Sequence, residues 1–191
     1  MLQLGRNLAN KYQRRTLRVL YGQTQAYPYA AQLSSAFVRT GGAIEGTTTT
    51  GITGGKAAIL PGLVATKLVG ENVTVSGAAD DDRPFGLFAN YVGGELSDIP
   101  TDQTGVGVWR GVGSVYEILA PAFDDTTAAT NASNEVGTDT TEVYGASTVK
   151  GQLVFTTGGA GYDAMLAGTG PPPARLIKYL SANAVIVELL V

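Results

Sequence analysis

Leu63-Val-Ala-Thr-Lys-Leu-Val69, Gly70-Glu71-Asn72, Val73-Thr-Val-Ser76: two runs rich in β-branched residues with a polar, glycine-led turn between them. Valine and threonine pack well on a pleated surface and lose side-chain freedom in a helix, and Gly-Glu-Asn supplies the reversal. The stretch predicts a β-hairpin. The flanking sequence repeats the signal. Ala57–Leu60 precedes it, and Phe85–Val92, Gly105–Val112, Ser114–Leu119, Glu142–Val149, Gly151–Thr156 and Ala184–Val191 follow. Each run is short and bounded by Gly, Asp, Asn or Pro. Many short strands without helical spacers predict an all-β fold, a small sandwich or barrel-like domain.

Four stretches depart from that pattern. Leu4, Leu8, Leu17 and Leu20 partly follow helical spacing, so a short helix is expected over Asn7–Leu20. Tyr21–Arg39 is irregular, with Pro28 favouring an extended path. Thr40–Gly55, with Thr47–Thr50 and six glycines, reads as a loop. Ala120–Asp139, rich in Ala, Thr, Asp and Asn, reads as a long surface excursion. A second helix has a candidate only around Leu176–Tyr179. The expected organisation is an extended, partly helical N-terminal arm over residues 1–44 and a β-rich body over 45–191, with the excursion at 120–140.

Composition narrows the chemistry. The 191 residues include no cysteine and no histidine. Disulfides, thiolate zinc sites, Fe–S clusters and a cysteine nucleophile are thereby excluded, as are a Ser-His-Asp triad and imidazole-bound metal. Catalysis would have to run on carboxylates, lysine, tyrosine or hydroxyls. The hydrophobic share of 44% argues against wholesale disorder. No apolar run approaches the roughly 18 residues that span a bilayer.

The net charge of −3 averages two unlike parts. Arg6, Lys11, Arg14, Arg15, Arg18 and Arg39 fall within residues 1–44, which contain no acid, giving +6; the remainder carries −9. A basic segment on an acidic body suggests a partner for the segment. Arg6, Lys11, Arg14, Arg15 and Arg18, with Tyr27 and Tyr29 as aromatic anchors, are the candidate partner-binding residues. Six charges spread over 44 residues are sparse for nucleic acid, where phosphate neutralisation carries affinity. An acidic protein surface, including the body of a neighbouring copy, fits better. A solvated helix with a loose tail is the plain alternative.

The remaining motifs are near misses. Gly51-Ile-Thr-Gly-Gly-Lys56-Ala57 lacks both the first glycine and the hydroxyl of a phosphate loop, having Thr50 and Ala57 in those places. Gly159-Ala-Gly-Tyr-Asp-Ala164 follows a strand candidate but opens no helix, so it reads as a glycine-rich turn. Asp80-Asp81-Asp82 offers oxygen ligands, yet neighbouring side chains of an extended segment point to opposite faces. It reads as a solvated turn, as does Asp124-Asp125. Trp109 among Val106, Val108 and Val112 reads as a core or interface anchor. No metal and no cofactor is expected, and no catalytic signature emerges.

Leu60-Pro-Gly-Leu-Val-Ala-Thr-Lys-Leu-Val-Gly-Glu-Asn-Val-Thr-Val75, then Ala78-Ala-Asp80, then Pro84-Phe-Gly-Leu-Phe-Ala-Asn-Tyr-Val92 resembles the head decoration (capsid cement) proteins of tailed bacteriophages. The ending, Pro173-Ala-Arg-Leu-Ile-Lys-Tyr-Leu-Ser181 and Ala184–Val191, looks like the closing strand of phage virion proteins. The resemblance covers roughly residues 57–119 and 174–191. It departs at the N-terminal segment, longer than in the simplest such proteins, and at 120–140. It implies a structural, non-enzymatic virion protein made in the host cytoplasm and bound to the outside of an icosahedral head. The implied partners are the major capsid protein and neighbouring decoration subunits, with no membrane. Under that reading, removing residues 1–40 is expected to abolish attachment and leave the body folded. The competing readings are a head–tail connector or tail protein, and a carbohydrate- or receptor-binding β module using Trp109 and exposed tyrosines.

Overall fold

The computed structural model describes residues 16–22, 26–31, 43–44, 56–67, 72–75, 84–90, 92–95, 104–134, 142–147, 151–157 and 172–191. The first strands are β1 (Leu17–Tyr21), β2 (Tyr27–Ala31), β3 (Ala43–Ile44), β4 (Lys56–Ile59) and β5 (Val64–Lys67). Then come β6 (Asn72–Thr74), β7 (Pro84–Phe88), β8 (Val92–Glu95), β9 (Thr104–Trp109) and β10 (Val115–Leu119). One helix, α1 (Asp125–Asn131), precedes β11 (Val143–Ser147), β12 (Leu153–Thr157), β13 (Ala174–Ser181) and β14 (Ala184–Leu189).

The protein is mostly β, as the punctuated runs predict. Five strands close a barrel in the order β2-β6-β5-β7-β9; six form a sheet in the order β1-β10-β14-β13-β11-β12; β3-β4-β8 make a smaller sheet. The hairpin expected from Leu63–Ser76 is present, with β5 antiparallel to β6 and Thr66 opposite Thr74. Alternation sorts the large sheet. In β10, Tyr116 and Ile118 are buried between half-exposed neighbours, and in β14 Val187 and Leu189 are buried while Ile186 and Glu188 face the other way.

Barrel and sheet share one core. Leu63, Val64, Phe88 and Val108 from the barrel belong to the same buried cluster as Tyr116, Ile118, Leu153 and Val187 from the sheet. Two glycines permit the close approaches. At Gly86 a Cβ would stand 2.2 Å from the Trp109 carbonyl oxygen, so only glycine lets β7 run this close to β9. At Gly151, φ is +72° and a Cβ would meet Val75 Cγ1 at 2.3 Å. The Gly151 carbonyl accepts the Val64 amide at 2.7 Å, tying the approach to β12 onto the barrel. The Thr16 hydroxyl donates to the Pro61 carbonyl and adds a second tie.

Several expectations change. The helix expected over Asn7–Leu20 is strand β1 where it can be seen, with Leu17 and Val19 packed against the core and Arg18 exposed; Asn7–Arg15 lie outside the described residues. Pairing with β10 outweighs the imperfect helical spacing. The irregular Tyr21–Arg39 stretch contains β2, which lies between β6 and β9 and closes the barrel. Pro28 is tolerated because β6 pairs only with Ala30 and Ala31. Leu176–Tyr179 lies inside β13, with Leu176 buried and Arg175 and Ile177 turned the other way. The excursion beginning at Ala120 folds back: Ala122, Phe123 and Ala128 are buried, and α1 starts from an Asp124 cap. A cut at residue 40 would therefore remove the strand that closes the barrel; a cut that leaves β1 and β2 whole falls before Thr16.

Candidate functional site

Arg6, Lys11, Arg14 and Arg15 lie outside the described residues, as do Gly51–Gly55, Asp80–Asp82 and Gly159–Ala164. Arg18, Tyr27 and Tyr29 can be placed. Arg18 is opposite Glu117 in the β1–β10 ladder, its guanidinium 3.4 Å from the carboxylate. At an exposed site such a pair contributes about 0–1 kcal/mol. Tyr27 opens β2 and is more than half exposed. Tyr29 turns inward: half-buried, it meets the Phe85 ring edge-on at 5.1 Å, and the Arg110 guanidinium sits over that ring at 3.9 Å. These ring contacts fasten β2 to the barrel wall. Arg18 and Tyr27 thus stand on different sheets.

Trp109 is half-buried, its ring 5.9 Å from Tyr116 across the seam between barrel and sheet. It also lines a hollow of about 480 Å³ with Pro28, Tyr29, Ala89, Asn90 and Val106. Asn90 Oδ1 accepts the Gly107 amide at 2.6 Å, so this side-chain amide of the wall is held by backbone. Among the described residues no carboxylate or cationic side chain lines the hollow.

Charged side chains gather elsewhere, on the open face of the large sheet. Register places Tyr144, Arg175 and Glu188 in one row across β11, β13 and β14. Arg175 bonds to both Glu188 and Glu142, and the Tyr144 hydroxyl donates to Glu142. The Tyr144 hydrogen bond, with the Arg175 charge, holds the Glu142 carboxyl below its ordinary value against an opposing effect of burial. Burial pulls the Arg175 guanidinium down, but Glu188 and then Glu142 more than offset it, and its pKa rises. The arrangement is a charge-assisted clasp across three strands.

The Asp124-Asp125 pair has a local role. Asp124 Oδ1 accepts the Thr127 amide at 3.1 Å and caps α1, and Asp125 lies in its first turn, where negative charge is favourable. Among the described residues no group of three or more Asp and Glu is placed to hold a metal ion.

Sequence reasoning missed part of one surface feature. Tyr21, one of the aromatics of the basic stretch, is exposed, and so are two large apolar residues that were not singled out for exposure, Leu20 and Val112. Val112 had a signal, since it lies between Gly111 and Gly113, both at positive φ. An apolar residue on a glycine-flanked turn has little chain around it to cover it.

Barrel and sheet, braced by ring contacts and a three-strand ionic clasp, make a small β-built protein. The chain belongs to the phage cement protein family, whose model matches residues 4–189. No curated protein and no solved structure matches it. Membership bears out the resemblance read in Leu60–Val92 and Pro173–Val191 and gives the protein a capsid-stabilising structural role in the phage particle.

Proposed function

We propose that this cement protein binds the outer surface of an icosahedral phage head, against the major capsid protein and at sites between capsomers. It reinforces the shell by bridging neighbouring shell subunits rather than by chemistry. The observation that carries the reading, beside the family, is the charge division: +6 with no acid over residues 1–44, against −9 over the rest. A protein that must lie between subunits of a shell gains from a basic N-terminal stretch that can meet acidic protein surface while the rest of the chain is acidic.

The test is to titrate the protein onto assembled, expanded heads that lack it. The protein should co-sediment to saturation and raise the temperature at which the heads rupture. No binding at saturating protein would overturn the reading and put a head–tail connector or tail position in its place. Electron cryomicroscopy of the particle would then locate it.

A further inference from the structure

Five large apolar side chains stand exposed among the described residues: Leu20, Tyr21, Tyr27, Val112 and Leu180. Three of them, Tyr21, Tyr27 and Val112, lie at or beside one crossover of the chain. The chain crosses from barrel to sheet through Arg110–Ser114, between β9 and β10. Tyr27 pairs with Val108 just before that crossover, and Tyr21 pairs with Val115 just after it. Val112 is at its centre, and Gly22 is pressed against it, since a Cβ there would meet Ser114 Oγ at 2.5 Å. Tyr21 is 72% exposed, Val112 73% and Tyr27 53%. A soluble protein rarely gathers apolar side chains this open without a use for them.

Charge says what the use is. Leu20, Tyr21 and Tyr27 all lie in the acid-free stretch of residues 1–44, and Arg18 is exposed on the same strand as Tyr21. The exposed aromatics therefore belong to the part of the chain that carries six basic residues and no acid, although Arg18 itself faces Glu117 across the β1–β10 ladder. We infer that the crossover of Tyr21, Tyr27 and Val112 is the surface that docks on the shell, and that it takes a protein face carrying apolar depressions among carboxylates. Tyrosines suit such a surface, because each brings a large, rigid apolar area with a polar tip. This deepens the head-binding reading and rests on it.

The experiment compares three proteins on expanded heads: the unaltered chain, the triple variant Tyr21→Ser, Tyr27→Ser, Val112→Ser, and Leu180→Ser. Leu180 is also exposed, at 44%, but lies near the β13–β14 turn, where Ala184 pairs with Leu119 at the far end of β10. Urea midpoints should be alike for all three, because the altered side chains are solvent-facing. The triple variant should bind at least about 10-fold more weakly, with Leu180→Ser unchanged, and added salt should weaken the unaltered protein. Equal binding by the triple variant, while the unaltered chain binds, overturns this inference and leaves head binding standing. Failure of the unaltered chain to bind overturns both. Unchanged head binding with lost self-association in sedimentation velocity would give the surface to a second copy and also overturn the inference. Should the triple variant prove unstable, Tyr21→Ser alone carries the same comparison.

Discussion

The two edges of the six-stranded sheet are built in opposite ways. Edge strand β12 is finished by the chain itself. The Leu153 amide donates to the Ala122 carbonyl at 3.2 Å, and the Leu153 carbonyl accepts the Asp124 amide at 2.8 Å. Further along, the Phe155 amide donates to Thr127 Oγ1 and the Phe155 carbonyl accepts Asn131 Nδ2, both at 3.1 Å. The segment running into α1 thus acts as a surrogate strand, with two side chains of the helix completing it. Edge strand β1 has no such cover: among the described residues it pairs with β10 alone and presents Arg18, Leu20 and Tyr21 to solvent. An unpaired edge is a template for another chain unless something blunts it. At β1 the blunting consists of a short length, one charge and an irregularity between Val19 and Tyr21. One edge is closed by the chain's own helix approach, and the other is closed by none of the described residues.

The comparison breaks if the two edges respond alike to substitution. The largest effect is expected at Leu153, which is fully buried and bonded on its outer side to the α1 approach. Leu153→Ala should cost about 2–5 kcal/mol through lost burial and the cavity left behind, read from urea midpoints. Tyr21→Ala, at the open edge, should stay within about 0.5 kcal/mol of the unaltered protein. Comparable losses at both positions would mean that β1 is as structural as β12.

A smaller effect sharpens the same point. Thr127→Val keeps the shape of the side chain and removes the hydroxyl that accepts the Phe155 amide and donates to the Asp124 carbonyl. Leaving a strand amide without its acceptor should cost about 1–3 kcal/mol, toward the lower end because the site is only half-buried. Exchange of the Phe155 amide with deuterium should speed up relative to the central strands. A protected Phe155 amide in that variant would show that the helix is not what closes the edge.

Much of the architecture was legible because each central strand carries its own signal. Val73 and Val75 alternate around Thr74, and Val185, Val187 and Leu189 alternate with Ile186 and Glu188. The edges and the barrel closure were not legible, for a physical reason. β2 becomes a strand by pairing with Val106 and Val108, far away in sequence; Pro28 announces an extended path locally but not a strand. α1 did offer a cue, an aspartate three residues ahead of a threonine amide, but seven residues rich in threonine have little helical tendency of their own. That helix stands because Ala128 is buried and Asn131 and Thr127 reach β12. As for the site, Arg18 and Tyr27 were legible as exposed candidates, whereas Tyr29 faces inward to Phe85, which only the closed barrel could reveal. Tyr21 was legible as an aromatic of the basic stretch, but its 72% exposure follows from its place at the end of β1, which residue type does not encode.

The smallest expected effect is a pH dependence on the β12 side of the sheet. Glu142 accepts from Tyr144 and lies against Arg175, which also holds Glu188, so the clasp spans β11, β13 and β14. The folded-state pKa of Glu142 lies below its ordinary 4.5, chiefly through the Tyr144 hydrogen bond. A carboxyl with a depressed folded pKa contributes stability that is complete above the unfolded value and fades as pH falls through the folded one. The contribution is therefore whole at neutral pH and lost as the solution is acidified below about pH 4.5. With the Glu142 side chain 41% exposed, solvent screens much of it. Glu142→Gln should lower the urea midpoint slightly at pH 7 and converge on the unaltered protein as the pH falls from 4.5 through the folded-state value, and Tyr144→Phe should flatten the same window. If the two curves stay parallel through that window, the clasp is a passive surface contact, and the firmness of the β12 side comes from the α1 approach alone.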